Sequence, residues 1–331
     1  MLRLPQFGVK SPTTIPEVVE ALREPGARLV AGGTDILPNL KHRLDKPPIL
    51  VSLDAVSELR SLEVKDGALH IGAGMTLTEV AEADAVLEHF PMLADAAGRV
   101  ASPLIRNMGT LGGNVNLDTR CRYVNQTEFW RGAIGGGCIK SEGNVCHVVP
   151  KGRNCVAAMS SDCVPVLIAL DAVFELVGPE GSREVPADEY FKADGTAHTA
   201  REEGEVMTGI RIPLPEGARA TRYVKWTVRQ SIDFPLVSVA LRFDMDGEGA
   251  DATIAAAKVV AGVLGAKPRA VSKLDAIVGK RLSDPAVAQA VSEAAHKQCK
   301  PLPNVPYETE YRRAMIKVHT RRAVEALAAE R

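Results

Sequence analysis

The chain has 331 residues, of which 46% are hydrophobic and 24% charged, enough apolar content for substantial cores divided among two or three lobes. Its 40 basic and 41 acidic side chains leave a formal net charge of −1. Apart from a C-terminal group at Arg312, Arg313, Arg321 and Arg322 the basic residues are scattered, which argues against DNA or RNA as a partner.

Periodicity and punctuation predict a mixed α/β first third, with a strand over 28–31, a helix over 36–43, a strand over 49–53 and another over 69–71. Thr76 and Glu79 have the spacing of a capping box, so a helix is expected from there toward Ala85, followed by a second over 92–100. From Asp118 to about Ser160 the texture changes. This segment holds Gly135, Gly136 and Gly137 in a row, no helical period, and four of the chain's six cysteines. It reads as an irregular loop tied down by something other than a hydrophobic core.

Regular patterning returns with an apolar run at 165–170 and a strand over 172–177, closed by a Gly178-Pro179-Glu180-Gly181 turn. Pro213, Pro215 and Gly217 interrupt both helix and strand, which puts a domain boundary near residue 215. Beyond it, strands are expected over 222–226 and 237–242, a strand or buried segment over 253–263, an amphipathic helix over 283–297 and a closing helix over 307–329. The N-terminus lacks an apolar signal core, and no apolar run reaches the roughly 18 residues of a membrane span, so a cytoplasmic protein that does not enter the membrane is expected.

In a reducing compartment, clustered cysteines are read as metal ligands or redox groups before disulfides. Cys121, Cys138, Cys146 and Cys155, spaced C-x16-C-x7-C-x8-C, form a full ligand set for a [4Fe–4S] cluster or a tetrahedral zinc. The spacing is unlike the short C-x2-C runs of ferredoxins or zinc ribbons and leaves both open. Tyr123, Phe129 and Trp130 fall in the same loop and are expected to shield such a centre, while Gly135–Gly137 allow close backbone approach. His147 is taken as a supporting or surface residue, and Cys163 and Cys299 as small buried hydrophobes.

Two glycine-rich segments remain. Val30-Ala31-Gly32-Gly33-Thr34-Asp35 joins a strand to a helix and turns consecutive N–H groups toward a phosphate, without the G-x-G-x-x-G spacing of a dinucleotide fold. Arg106-Asn107-Met108-Gly109-Thr110-Leu111-Gly112-Gly113-Asn114-Val115 offers a hydroxyl, an amide and open backbone, suited to a ribityl–pyrophosphate chain.

In order and separation the two segments resemble those of the FAD-binding medium subunits of the molybdenum hydroxylases, the xanthine dehydrogenase and carbon monoxide dehydrogenase family. Ser161-Asp162-Cys163-Val164-Pro165 through Leu170-Asp171-Ala172 is similar to that family's S-D-x-x-P-x-L-x-A-L-D-A stretch, and Tyr311-Arg312-Arg313 with Arg321-Arg322-Ala323 to its closing helix. The resemblance covers nearly the whole chain. It implies an α+β protein: a two-lobed, PCMH-type FAD-binding domain over 1–215, with lobes at about 1–55 and 56–215, then a small α+β C-terminal domain over 216–331. It also implies FAD contacts at Val30, Ala31, Gly32, Gly33, Thr34, Asp35, Thr110, Gly113, Asn114, Asp162 and Lys225. No catalytic acid or base is expected on this chain.

In ordinary members the G-G-N and S-D segments follow closely, whereas here Asn114 and Asp162 lie 48 positions apart. The intervening 118–160 resembles the insertion of the 4-hydroxybenzoyl-CoA reductase β subunits, which makes Cys121, Cys138, Cys146 and Cys155 ligands of an extra [4Fe–4S] cluster. The resemblance further implies a large molybdenum-cofactor subunit and a small subunit with two [2Fe–2S] clusters as partners, in a dimer of heterotrimers. Electrons from ferredoxin would enter at the cluster and pass through FAD toward molybdenum, where 4-hydroxybenzoyl-CoA is reduced to benzoyl-CoA in anaerobic aromatic degradation. Two alternatives stand beside this. One is a hydroxylase or dehydrogenase subunit of the same family with electrons flowing outward, and the other a zinc-stapled scaffold without a redox role.

Overall fold

The computed structural model describes residues 2–247 and 249–330. Three short parallel strands, β1 (Gly8–Lys10), β2 (Arg28–Val30) and β3 (Ile49–Ser52), form a sheet in the order β1-β3-β2. Between the first two lies α1 (Ile15–Ala21), which starts where the Thr14 hydroxyl accepts from Glu17 N, with Pro16 in the first turn. Its Val18 and Val19 pack into a core with Val51 and Leu59. The chain leaves β2 through the 31–35 turn into α2 (Ile36–Lys41).

The second sheet is antiparallel, with strands β4 (Leu62–Lys65), β5 (Ala68–Gly72), β6 (Val173–Gly178), β7 (Gly181–Pro186) and β8 (Val206–Pro213) in the order β4-β5-β8-β6-β7. Helices α3 (Leu77–Glu82), α4 (Asp84–His89), α5 (Pro91–Gly98), α6 (Pro103–Arg106) and α7 (Leu111–Val115) follow β5. The Thr76–Glu79 capping box forms as the sequence predicts. The helix it starts stops at Glu82 instead of reaching Ala85, because Ala83 is extended (φ −67°, ψ 127°) and re-initiates α4.

Residues 118–160 are mostly turns, with one departure from the sequence reading: a six-residue helix, α8 (Glu128–Ala133), capped by Thr127. It carries no apolar stripe because it is not held by one. Arg131, almost wholly buried, donates to Gln126 O (2.6 Å), His42 O (3.1 Å) and Glu142 Oε1 (3.0 Å), fastening the helix to the end of α2. Phe129, expected as a shield, is 86% exposed instead.

The apolar run after the insertion is a helix, α9 (Cys163–Ala169), buried along its whole length against α5, α7 and the third sheet described below, in a core that also takes in residues of the second sheet. Phe174, Tyr190 and Phe191 meet edge to face in the same core, with ring centroids 5.0–6.3 Å apart.

A third, antiparallel sheet of β9 (Arg219–Trp226), β10 (Val237–Asp246), β11 (Thr253–Gly262) and β12 (Arg269–Val271), in the order β12-β11-β10-β9, is covered by α10 (Pro285–Gln298) and α11 (Thr309–Ala329). The ambiguous stretch at 253–263 is therefore a strand. The last helix begins two residues later than expected because Tyr307 has φ +73° and cannot join it. Among the described residues no helix is long and apolar enough to cross a membrane.

Candidate functional site

The two glycine segments are in contact. A Cβ on Gly32 would lie 1.7 Å from Met108 O, so only glycine lets the 31–35 turn rest on the 106–110 backbone. Gly33 has φ +73°, the left-handed conformation the turn needs. Among the described residues, the N–H groups of Gly32, Gly33, Thr34 and Asp35 donate to no protein acceptor, which leaves a run of donors free for an anion. The Thr34 hydroxyl faces Gly109. Thr110 caps α7 by accepting from Gly113 N at 3.0 Å, and Gly112 packs so tightly on Ala73 that a Cβ would come within 2.8 Å of its carbonyl.

Asn114 points inward. Its Oδ1 accepts from Ser161 Oγ (2.6 Å) and Cys163 N (3.3 Å), linking the second glycine segment to the start of α9. Asp162 sits at the N-cap of α9, yet its carboxylate does not cap the helix. It accepts from Tyr223 OH (2.6 Å) and Lys225 Nζ (3.0 Å), both on β9. Lys225 also donates to Arg99 O at 2.8 Å. Burial pushes the Asp162 carboxyl up to about 6, against the pull of Lys225 and the Tyr223 hydrogen bond.

All eleven residues expected to meet a flavin therefore lie at the end of β2 and in the turn that leaves it, at the N-cap and within α7, at the N-cap of α9, and on β9. Sequence reasoning missed Arg120. This arginine makes an ion pair with Asp35 and lies 4.9 Å above the ring of Phe234, joining the first turn, the base of the insertion and the loop between β9 and β10. Burial lowers its guanidinium to about 10, still far above neutrality, so it stays charged. Isolated arginines have no spacing signal that would have revealed it.

The four clustered cysteines are free and buried, and they line one small cavity with Tyr123, Val124, Ile139, His147, Val148 and Val156. Each thiol has a donor near it. Ala157 N donates to Cys155 Sγ at 3.4 Å, Val149 N to Cys146 Sγ at 3.4 Å, Ser141 Oγ to Cys138 Sγ at 3.8 Å, and the Tyr123 and Val124 amides face Cys121. Burial pushes the Cys121 thiol up, and the Cys155 thiol to about 11.

His147 Nε2 is buried without a partner, and its ring lies tilted against Tyr123, with centroids 5.4 Å apart. Among the described residues no three His, Cys, Asp or Glu side chains close tightly enough to hold a single metal ion. The thiols share a space without converging on one point. Cys163 and Cys299 lie apart from this cavity, buried in the core around α9 and in the core of the third sheet, as expected.

With this geometry in view, comparison with known proteins is specific. The family described as the FAD binding domain in molybdopterin dehydrogenase matches residues 5–215, and the CO dehydrogenase flavoprotein C-terminal domain matches residues 222–327. The aldehyde oxidoreductase FAD-binding subunit of Escherichia coli is 34% identical over 240 residues, 70% of this chain and 75% of that one. The carbon monoxide dehydrogenase medium chain of Hydrogenophaga pseudoflava is 29% identical over 324 residues, 97% of each. A crystal structure of the latter enzyme, in a form lacking the Mo-pyranopterin moiety of its cofactor, superposes with a TM-score of 0.79 at 26% identity, over 99% of each chain. The chain belongs to the FAD-binding medium subunits of the xanthine dehydrogenase and carbon monoxide dehydrogenase family.

Proposed function

We propose that this chain is the FAD- and [4Fe–4S]-containing electron-transfer subunit of a molybdenum complex of the 4-hydroxybenzoyl-CoA reductase type. Its partners are a large molybdenum-cofactor subunit and a small [2Fe–2S] subunit, with reduced ferredoxin as donor in the cytoplasm. In this reading Cys121, Cys138, Cys146 and Cys155 hold the cluster. The turn at Val30–Asp35 holds the FAD pyrophosphate, with Thr110, Gly113, Asn114, Asp162 and Lys225 along the rest of the cofactor. FAD supplies the exchange between one- and two-electron carriers, and no side chain here acts as acid or base.

The observation that carries the cluster is the cavity in which four free thiols, each with a donor near it, share space with an unpartnered His147 Nε2. N–H···S contacts suit a group with several sulfur acceptors. Zinc needs four thiolates at about 2.3 Å from a single ion, and here the thiols would have to close inward to reach it.

A second reading keeps both centres and reverses the flow. It draws on the carbon monoxide dehydrogenase named above, whose name points to oxidation. The deciding experiment has two stages. Anaerobically purified chain is assayed for flavin, iron, zinc and acid-labile sulfide, with about one FAD, four irons and four sulfides expected. The assembled complex is then tested for reduction of 4-hydroxybenzoyl-CoA by reduced ferredoxin. One zinc without sulfide would leave only a stapled flavin subunit, and oxidation of an aromatic substrate without ferredoxin-driven reduction would favour the outward reading.

A further inference from the structure

Lys140 is a lysine that the function so far does not use, and it is in an unusual place. Its side chain is only 10% exposed, within the insertion and two residues beyond Cys138. Its ammonium donates to Asp118 Oδ1 (2.6 Å), Gly195 O (2.7 Å) and the Thr119 hydroxyl, with Thr119 O at 3.4 Å. These acceptors come from the base of the insertion and from the connection between β7 and β8, so the side chain is fixed from two directions. Burying an ammonium is costly unless it is paired, which makes an accidental position improbable.

The ammonium is also directly behind a cysteine. Gly195, whose carbonyl Lys140 holds, packs so closely on Cys155 that a Cβ there would be 2.8 Å from the cysteine Sγ. Gly195 N donates to Cys155 O at 2.8 Å, and Cys155 N to Asp194 Oδ1 at 3.1 Å. Two carboxylates stand near this point. Asp118 is 39% exposed, so water screens its charge more than that of Lys140. Asp194 is turned to the amides of Cys155 and Thr196 and to the Thr196 hydroxyl. The positive charge is the better buried of the two partners in the Lys140–Asp118 ion pair.

We propose that Lys140 is a redox-tuning residue, its buried ammonium pinned through Gly195 against Cys155 so that a fixed positive charge raises the midpoint potential of the cluster held there; this rests on the [4Fe–4S] reading above. A positive charge favours the more negative, reduced state of the couple, and net charge around a cluster is one of the terms that set its potential. The lysine lies behind the ligand, so it acts without occupying the cavity.

The test uses the full chain with its cofactors and measures two potentials, that of the cluster by EPR-monitored titration and that of FAD as an internal reference. K140Q, which keeps donors for Thr119 and Gly195 but loses the charge, is expected to reduce the cluster's equilibrium constant for reduction about tenfold, a negative shift of about 59 mV for a one-electron couple. K140R stays close to the parent. D118N removes the countercharge while keeping the acceptor, and shifts the potential the opposite way. FAD moves in none of them.

Opposite signs for K140Q and D118N are not a consequence of loosened structure. An intact cluster signal in K140Q at the parent potential overturns the role of Lys140 and leaves the cluster reading standing. Should K140Q not fold, the absence of a positive shift in D118N overturns it equally. A parent chain without iron and sulfide overturns the cluster reading, and this inference with it.

Discussion

Lys225 on β9 donates a hydrogen bond to Asp162 at the N-cap of α9 across 3.0 Å, and the two side chains are 7% and 3% exposed. The pair crosses between the core around α9 and the third sheet. A lysine on a strand is commonly solvated, but here it is paired in the interior, with Tyr223 on the other carboxylate oxygen. A buried pair of this kind is a modest source of stability when complete and costly when halved.

Removing either partner alone should therefore be worse than removing both. K225M is expected to destabilise the chain by about 3–5 kcal/mol, whereas D162N/K225M should lose clearly less than the sum of the single changes. Urea denaturation of the four proteins at pH 7 measures the coupling, and simple additivity would mean that the contact carries no energy of its own.

The same carboxyl gives a pH signature. Its folded value, raised to about 6 from 3.8, means that the native state binds a proton more tightly than the unfolded one. This group's contribution is thus fully present below about pH 4 and is lost as pH rises to about 6. Other carboxylates, such as Asp171 and Glu205, are lowered by their basic partners and trend the other way, so the difference between parent and D162N isolates the effect. The stability of D162N relative to the parent should improve by roughly 2–3 kcal/mol from pH 4 to pH 6 and then level off. A flat difference over that window would show that the carboxyl is not perturbed.

Gly32 cannot gain a methyl group without moving Met108 O, a backbone atom rather than the end of a flexible side chain. G32A should weaken FAD binding at least tenfold, about 1.4 kcal/mol, as read by flavin fluorescence on reconstitution. G132A, where an added Cβ meets nothing within 4 Å, is the control. Full flavin retention in G32A would remove the 31–35 turn from the cofactor site.

The cysteines divide into two classes that elemental analysis can separate. C138S should lose iron and sulfide while keeping FAD, because the cavity is remote from the amides of the 31–35 turn in sequence and built from its own loop. C163S and C299S should retain all three, since these thiols pack in apolar cores. Four irons in C138S would refute the ligand set.

Arg312, wholly buried, donates to Val263 O, Leu302 O (2.8 Å) and Leu236 O (3.0 Å). R312L leaves three carbonyls without this donor, each worth about 1–3 kcal/mol when stranded. The expected result is a large fall in Tm, checked by calorimetry, with no change in the Asp162 titration.

Much of this protein is readable in one dimension. The Thr76–Glu79 cap, the strands at 28–31 and 49–53 and the amphipathic helix near 283–297 are local: the residues that make each element also supply its signal. The insertion stands out for the opposite reason, a lack of period joined to a run of cysteines. Within it α8 escaped notice because a single buried arginine holds it, and one residue makes no pattern. Arg120 and Lys140 were missed likewise, each defined by partners far away in the chain, Asp35 and Phe234 for one and Gly195 for the other.

The sequence by itself determined which segments turn, which alternate, and which residue types are available for a flavin and a four-thiol site, since these depend on backbone freedom and side-chain chemistry at neighbouring positions. Only the tertiary structure decided that Gly32 lies on Met108 O, that Lys225 is buried against Asp162, and that four cysteines spread over 35 residues line one cavity with a charge behind it. Contacts between distant segments are set by how whole lobes pack, and the desolvation that makes a charge or a thiol matter exists only after that packing is complete.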